Sequence, residues 1–265
     1  MFLLDKFENK YIIKGTLVAV APLHIGTGNV DFSPTAVDNP VIRDENGNPF
    51  VPGTALKGVI RSLLERILAT GAFEKFTSCN ILEDKKAQAN CINNNDLKKI
   101  KEKFKNIKNI EDRDEKIAKE IYERQCDVCK LFGGHGFASR IQFSDARLKE
   151  NSKAYTSIRD GIAIDRDTLI AATGAKYAFE SIAAGTEFDF EMTIDNLEKE
   201  YKKLIGIILT ILKDGELKVG GKTSAGLGNI QLRDINICAI EDKEDLKKYY
   251  LYGNKKKLKE DYFNV

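Results

Sequence analysis

Four cysteines are the first residues whose spacing carries chemistry. Cys126 and Cys129 enclose two residues, the interval of a metal knuckle, and Cys79 and Cys91 lie upstream in the same stretch. Together they can supply four thiolates to a tetrahedral, structural zinc, with His135 able to replace one of them. Free thiols are the alternative, because the first pair is spaced more widely than in common zinc ribbons. Cys238 alternates within a strand pattern and reads as core. A second group opens the first helical pattern, Gly53-Thr54-Ala55-Leu56-Lys57-Gly58. Backbone N–H groups at a helix start attract phosphate, and Lys57 and Arg61, four apart, share a face that can continue along a nucleic-acid backbone. A capped helix with two solvated cations explains the same residues.

The glycine-rich run GGKTSAGLG begins at Gly220. Lys222-Thr223 invites a P-loop reading, but the position that leaves four residues before the Gly-Lys-Thr is Glu216, and the run follows a helix and enters a strand. A P-loop needs glycine there and the opposite order of elements, so nucleotide hydrolysis is excluded. Lys222, Thr223 and Ser224 remain donors for RNA phosphate, with a plain turn as the alternative. Ile158 to Thr168 carries Arg159 and Arg166 among apolar residues and reads as an exposed hairpin loop.

The elements that must position these groups follow from periodicity. Residues 11–21 are β-branched and aromatic, interrupted by Gly15, and predict a strand. Val41 to Asp44, the turn-forming Asn46-Gly47, and Phe50-Val51 predict a hairpin closed by Pro52-Gly53. Leu56, Val59, Ile60, Leu63, Leu64, Ile67 and Leu68 predict a helix with Thr54 as N-cap. Strand patterns return at 139–146 and 186–194. Leu197 to Leu212 predicts an amphipathic helix capped by Asp195 with Glu198 completing a capping box, and Gly215 stops it. A strand over Leu227 to Cys238 and a charged tail with Lys255, Lys256 and Lys257 complete the chain. Strand, helix, strand, strand, helix, strand is the split βαβ plan of an α+β, ferredoxin-like (RRM-like) fold. It predicts one domain over 1–265 carrying two insertions, a helical, zinc-binding one at 72–134 and a hairpin one at 150–182.

Composition limits the partners. Of 265 residues, 42 are Lys or Arg and 40 are Asp or Glu, a net charge of +2, so any anionic partner must be held by local patches. The start MFLLDKFENKYIIKG lacks a basic region and a small-residue cleavage site and does not read as a signal peptide. The apolar run Leu204–Leu212 is too short to span a bilayer. Both point to the cytoplasm and no membrane, where cysteines ligate metal or stay free.

Taken in order, PLHIG, AVDNPVIRD, VPGTALKG, the cysteine pair running into LFGG, ASRIQFSDA, IRDGIAIDRDT, GAKYAFE and GGKTSAGLG resemble the RAMP superfamily. The resemblance is closest to the repeated backbone subunit of type III CRISPR–Cas effectors and covers nearly the whole chain. It implies antiviral defence in which copies of the chain stack along a CRISPR guide RNA, beside a large polymerase-like subunit, a small subunit and a RAMP subunit that caps the guide's 5′ end. It implies RNA contacts at His24, Arg43, Thr54, Lys57, Arg61, Arg159, Arg166, Lys222, Thr223 and Ser224, a hairpin thumb over about 158–180 wedged into the guide–target duplex, and structural zinc at Cys79, Cys91, Cys126 and Cys129. By the same resemblance Asp38 is the residue needed to cleave complementary target RNA. A lone carboxylate can hold Mg²⁺ or another divalent ion together with substrate phosphates, or take a 2′-hydroxyl proton. Asp31 is a nearby acid outside the motif, and His24 is a second candidate base. The chain departs from a Pro-Gly-Ser-Ser pattern at Thr54 and Ala55, and Ala55 lacks a possible phosphate donor. A non-catalytic RNA-coating scaffold is the alternative. A guide-processing ribonuclease fits less well, since such enzymes commonly use His or Tyr and only two histidines exist here.

Overall fold

The computed structural model describes residues 6–28, 37–79 and 91–263. Asp31 lies outside the described residues. In chain order the elements are β1 (Lys10–Ala19), α1 (Gly53–Leu68), α2 (Asn94–Lys103), α3 (Ile110–Glu123), α4 (Asp127–Phe132), β2 (Ile141–Phe143), β3 (Thr156–Ile164), β4 (Ala171–Ile182), β5 (Glu187–Asp195), α5 (Lys202–Asp214), β6 (Ile230–Ile240), α6 (Lys243–Tyr252) and β7 (Lys256–Leu258).

Period-two burial along β5 puts Phe188, Phe190, Met192 and Ile194 on one sheet face and leaves Glu187, Asp189 and Glu191 on the other. Tyr11, Ile13, Leu17 and Ala19 of β1, with Leu232, Ile237 and Ala239 of β6, extend that apolar face. The helices supply the other half of the core: Leu56, Ile60 and Leu64 recur at helical spacing on α1, and Leu204, Ile208 and Leu212 on α5. Each such side chain contributes roughly 1.5–3 kcal/mol on burial.

All pairings in the sheet are antiparallel, in the order β2-β5-β1-β6-β7. Two crossovers, β1–α1–β2 and β5–α5–β6, therefore each join parallel strands with one strand lying between them. β1 runs unbroken through Gly15, and the irregularity is a bulge in β6 opposite it: the register shifts between Lys14 and Thr16, Asp234 has φ 52°, and a Cβ on Gly15 would sit 2.7 Å from the Arg233 carbonyl oxygen. β3 and β4 form a separate two-stranded sheet that stands out as an exposed hairpin. Ile92, Ile100 and Ile121 make a small second core that holds α2 against α3.

Several expectations need correction. Thr54 is not the N-cap of α1: the helix starts at Gly53 after Pro52, with no side-chain cap, and the Gly53 N–H donates to Asp145 Oδ1 at 2.8 Å. The capping box of Asp195 and Glu198 is absent, because α5 starts at Lys202 and Glu198 instead accepts from Tyr122 and Arg140. The hairpin expected over 41–51 is reduced to one antiparallel bridge, Arg43 to Pro49, around a turn pinned by Asp44, whose Oδ1 accepts from the N–H groups of Asn46 and Asn48. The strand expected at 139–146 narrows to β2, and the last long strand runs Ile230–Ile240. Cys238 is half-buried and faces away from the helices. α6 and β7 were hidden in the charged tail. Gly215 does end α5, in the left-handed region at φ 72°.

Candidate nucleic-acid interface and cysteine centre

Three chain segments far apart in sequence converge on four consecutive residues of β4, Tyr177 to Glu180. Asp38 comes first: its Oδ2 accepts from the Ala178 N–H at 2.7 Å, and the residue is exposed. The following residues run beside β4, with Glu180 N–H donating to the Asn39 carbonyl at 3.0 Å and Val41 N–H donating to Glu180 Oε2 at 3.0 Å. Arg43 closes the arrangement through an ion pair to the Glu180 carboxylate and a 2.9 Å bond to the Gly47 carbonyl. Burial raises the Glu180 pKa, but the Thr156 hydroxyl, the Val41 N–H and Arg43 outweigh it and hold the carboxyl below its ordinary value.

His24 arrives from the loop after β1, which is tied to the base of β4 by paired backbone bonds between Leu23 and Ile182. Its Nδ1 lies 2.7 Å from the Glu180 carbonyl, so that nitrogen carries the proton. The ring packs edge-on against Phe179, with centroids 5.4 Å apart, and is only 8% exposed. That burial and packing make it a strut of the site.

The third segment is the glycine-rich loop. Gly221 N–H donates to the His24 carbonyl at 2.8 Å, and Gly220, at φ 86°, leaves no room for a Cβ against the same carbonyl. Lys222 then projects over the middle of the hairpin. Its Nζ donates to the Tyr177 hydroxyl at 2.9 Å and lies 4.2 Å from that ring's centroid and 5.4 Å from that of Phe179. Arg159 is opposite Phe179 in the β3–β4 register and so shares the face of both aromatic rings. Gly161 pairs with Tyr177, and a Cβ there would strike the ring. The result is an exposed acid and cations gathered along one stretch of β4, with Lys222 and Arg159 on the face of the two rings, suited to phosphate and base contact.

The cysteine centre lies elsewhere. The Sγ atoms of Cys79, Cys91, Cys126 and Cys129 all fall within 4.8 Å of one another, and these cysteines are free thiols rather than disulfides. Four sulfurs about 2.3 Å from one ion would be roughly 3.8 Å apart, so the cluster has the donors and the size to hold a metal ion. Cys126 N–H donates to Cys91 Sγ at 3.2 Å, and Cys129 N–H to Cys126 Sγ at 3.4 Å. Arg61 adds a positive group, donating to Cys129 Sγ at 3.1 Å. Bonds from Cys126, Cys79 and Cys91, with the Arg61 charge, carry the Cys129 thiol far below its ordinary pKa, whereas bonds to Cys126 and Cys129 push Cys79 up. His135 is exposed and not part of the cluster.

Residues 16–231 match the family model described as RAMPs, the RAMP superfamily. The chain belongs to the RAMP superfamily. It is 29% identical over 265 residues to the "CRISPR system Cms endoribonuclease Csm3" of Methanocaldococcus jannaschii, covering 96% of this chain and 88% of that protein. The protein of the same name from Streptococcus thermophilus is 25% identical over 241 residues, covering 85% of this chain and 88% of the relative. A third, from Mycobacterium tuberculosis, is 47% identical over 58 residues, 22% of this chain and 25% of that protein.

Within this RAMP chain the remaining nominated residues are dispersed. Arg61 does not continue a phosphate-binding face with Lys57. Its Nε donates to Glu65 at 2.8 Å and its terminal nitrogens to the Gly133 carbonyl and Cys129, leaving the side chain 13% exposed. Burial lowers the Arg61 pKa, but Glu65 and Cys129 overcome this and raise it. Lys57 is half-buried and makes no ion pair among the described residues; burial, then Arg61, lowers its pKa. The N–H groups of Gly53, Ala55 and Leu56 at the start of α1 are already bonded, the first to an aspartate. Thr54 and Ser224 are exposed, Thr223 is half-buried, and Arg166 lies in the hairpin turn organised by Asp165. Tyr177, Phe179 and Glu180 had no role assigned from sequence, although alternation within GAKYAFE puts both rings on one face. No described helix is long and apolar enough to cross a membrane.

Proposed function

We propose that this chain is the repeated, guide-RNA-binding backbone subunit of a cytoplasmic type III CRISPR–Cas effector, and that it cleaves RNA paired to the guide at Asp38. The observation that carries the reading is the convergence of Asp38, His24, Arg43 and Lys222 on Tyr177–Glu180. The printed name of the relatives, an endoribonuclease of a CRISPR system, supports it over most of the chain. The order β2-β5-β1-β6 with two crossover helices fits a ferredoxin-like core, with residues 72–134 and 150–182 as insertions and the β3–β4 hairpin as the thumb.

Lys222 and Arg159 hold backbone phosphates, while Tyr177 and Phe179 offer rings against which a base can stack. Asp38 is held midway along the hairpin by the Ala178 N–H, with its carboxylate open to solvent. There it accepts the 2′-hydroxyl proton or, with phosphate oxygens, holds Mg²⁺ or a similar divalent ion. Such an ion, when bound, neutralises charge developing on the phosphate. The four cysteines hold one structural zinc, with Arg61 offsetting thiolate charge. Partners are the guide RNA, complementary target RNA, further copies of this chain, and the large, small and guide-capping subunits of the effector.

The test is assembly with guide RNA followed by complementary RNA and Mg²⁺. Wild type cuts at regular intervals, and Asp38→Ala binds target without cutting it. Equal cutting by both removes Asp38 from catalysis, and binding without cutting by wild type leaves a scaffold subunit.

A further inference from the structure

α6 and β7 carry a surface that the site above does not use. Residues 243–259 hold seven lysines against two acids. α6 is ordered by its ends: Asp242 caps it, accepting from the Glu244 and Asp245 N–H groups, and Gly253 closes it at φ 71°. Yet α6 buries no residue of its own. Its last turn instead presents Tyr250 and Tyr252, 66% and 72% exposed, beside a half-buried Tyr249. Tyr249 and Tyr250 pack edge to face with centroids 5.0 Å apart, and Lys255 Nζ lies 5.3 Å from the Tyr249 centroid.

The acids nearby are already engaged. Glu244 pairs with Lys248 at 2.8 Å, Glu241 accepts from Tyr11, Tyr262 and Lys256, and Asp245 accepts from the Glu241 N–H. Lys247, Lys255 and Lys257 make no ion pair among the described residues. β7 fixes the spacing: Leu258 packs toward the core opposite Ile237, so Lys257, opposite Cys238, projects from the other sheet face. Uncovered aromatic rings flanked by cations without ion-pair partners place stacking faces for bases beside charges for phosphates.

We propose that α6 and β7 form a second binding surface for single-stranded nucleic acid, with bases stacking on Tyr250 and Tyr252 and phosphates held by Lys255 and Lys257. It lies at the far end of β6 from the glycine-rich loop, about 30 Å away at the rise of an eleven-residue strand. The inference does not depend on the role of Asp38.

The experiment uses the full chain carrying Lys222→Ala, so that the first site is weakened, and measures binding of a short oligouridylate and of oligothymidylate across a salt series. Tyr250→Ala with Tyr252→Ala lowers affinity for at least one oligonucleotide by roughly tenfold or more. Lys255→Glu with Lys257→Glu reduces the slope of log affinity against log salt by about 1.4. Photo-crosslinking of 4-thiouridine RNA to wild type places label on the peptide containing Tyr250 and Tyr252. All four residues are exposed, and circular dichroism checks that the variants stay folded. Unchanged affinity in both variants, or crosslinks confined to the Lys222 face, overturns the proposal. So does loss of subunit assembly with RNA binding intact, which would make this a protein-docking surface.

Discussion

Replacing Arg61 by alanine separates two roles for that cation. On α1 it stands four residues after Lys57, as a phosphate-binding pair would, yet its donors go to Glu65, the Gly133 carbonyl and Cys129 Sγ. Alanine would remove three bonds made by a mostly buried charge and leave the carboxylate and the thiolate cluster without their counter-charge. Breaking one partner of a buried pair costs about 3–5 kcal/mol. Glu65 retains 20% exposure and can be partly rehydrated, which favours the lower end. About 3 kcal/mol in a chain of this size lowers Tm by roughly 6–12 °C. Scanning calorimetry reads the shift, elemental analysis reads metal retained after dialysis against a chelator, and RNA binding across a salt series reads phosphate contact. Arg61→Ala melts early and loses metal while its salt slope stays that of wild type. Lys57→Ala does the reverse, keeping Tm and metal and losing about 0.7–0.9 of slope. An Arg61→Ala protein with wild-type melting and a reduced slope would refute the assignment of Arg61 to the cysteine centre.

Other outcomes follow from the same geometry. Cys129→Ser reduces metal from about one ion per chain toward none and destabilises the fold, read by elemental analysis and thermal melting. Gly220→Ala places a Cβ against the His24 carbonyl in left-handed backbone; it costs about 2 kcal/mol or more and weakens RNA binding, measured by denaturant unfolding and filter binding. Glu180→Gln loosens the Asp38 loop. Because the folded pKa of Glu180 lies below its ordinary 4.5, its stabilisation is complete above that pH and is lost as pH falls through the folded value. The Tm gap between wild type and Glu180→Gln therefore closes on acidification from about 4.5 downward.

The motifs made the loops of this RAMP chain legible, because glycine, asparagine and proline report local backbone geometry. The cysteine centre was readable for the same reason, since Cys126 and Cys129 span a single helix start. What stayed hidden was set by partners distant in sequence. Thr54 looked like a cap because Asp145, which satisfies Gly53 from another loop, cannot be seen locally. Arg61 looked solvated because Cys129 is 68 residues away. Glu198 completed a capping box on paper, but Arg140 and Tyr122 take its carboxylate. Tyr177 and Phe179 gained meaning only when the β4 register set them beside Lys222. α6 was lost among lysines because it has no apolar stripe to betray a helix.

The attachment of Asp38 to Ala178 has a mechanical consequence. The aspartate is anchored midway along an arm, at Ala178 opposite Asp160, and β3 runs about 13 Å further, to Ile164. A force on the tip therefore acts on the short segment that also carries Lys222, His24 and Arg43. A displacement of the arm thus moves the carboxylate directly, with no signal needing to cross the packed core.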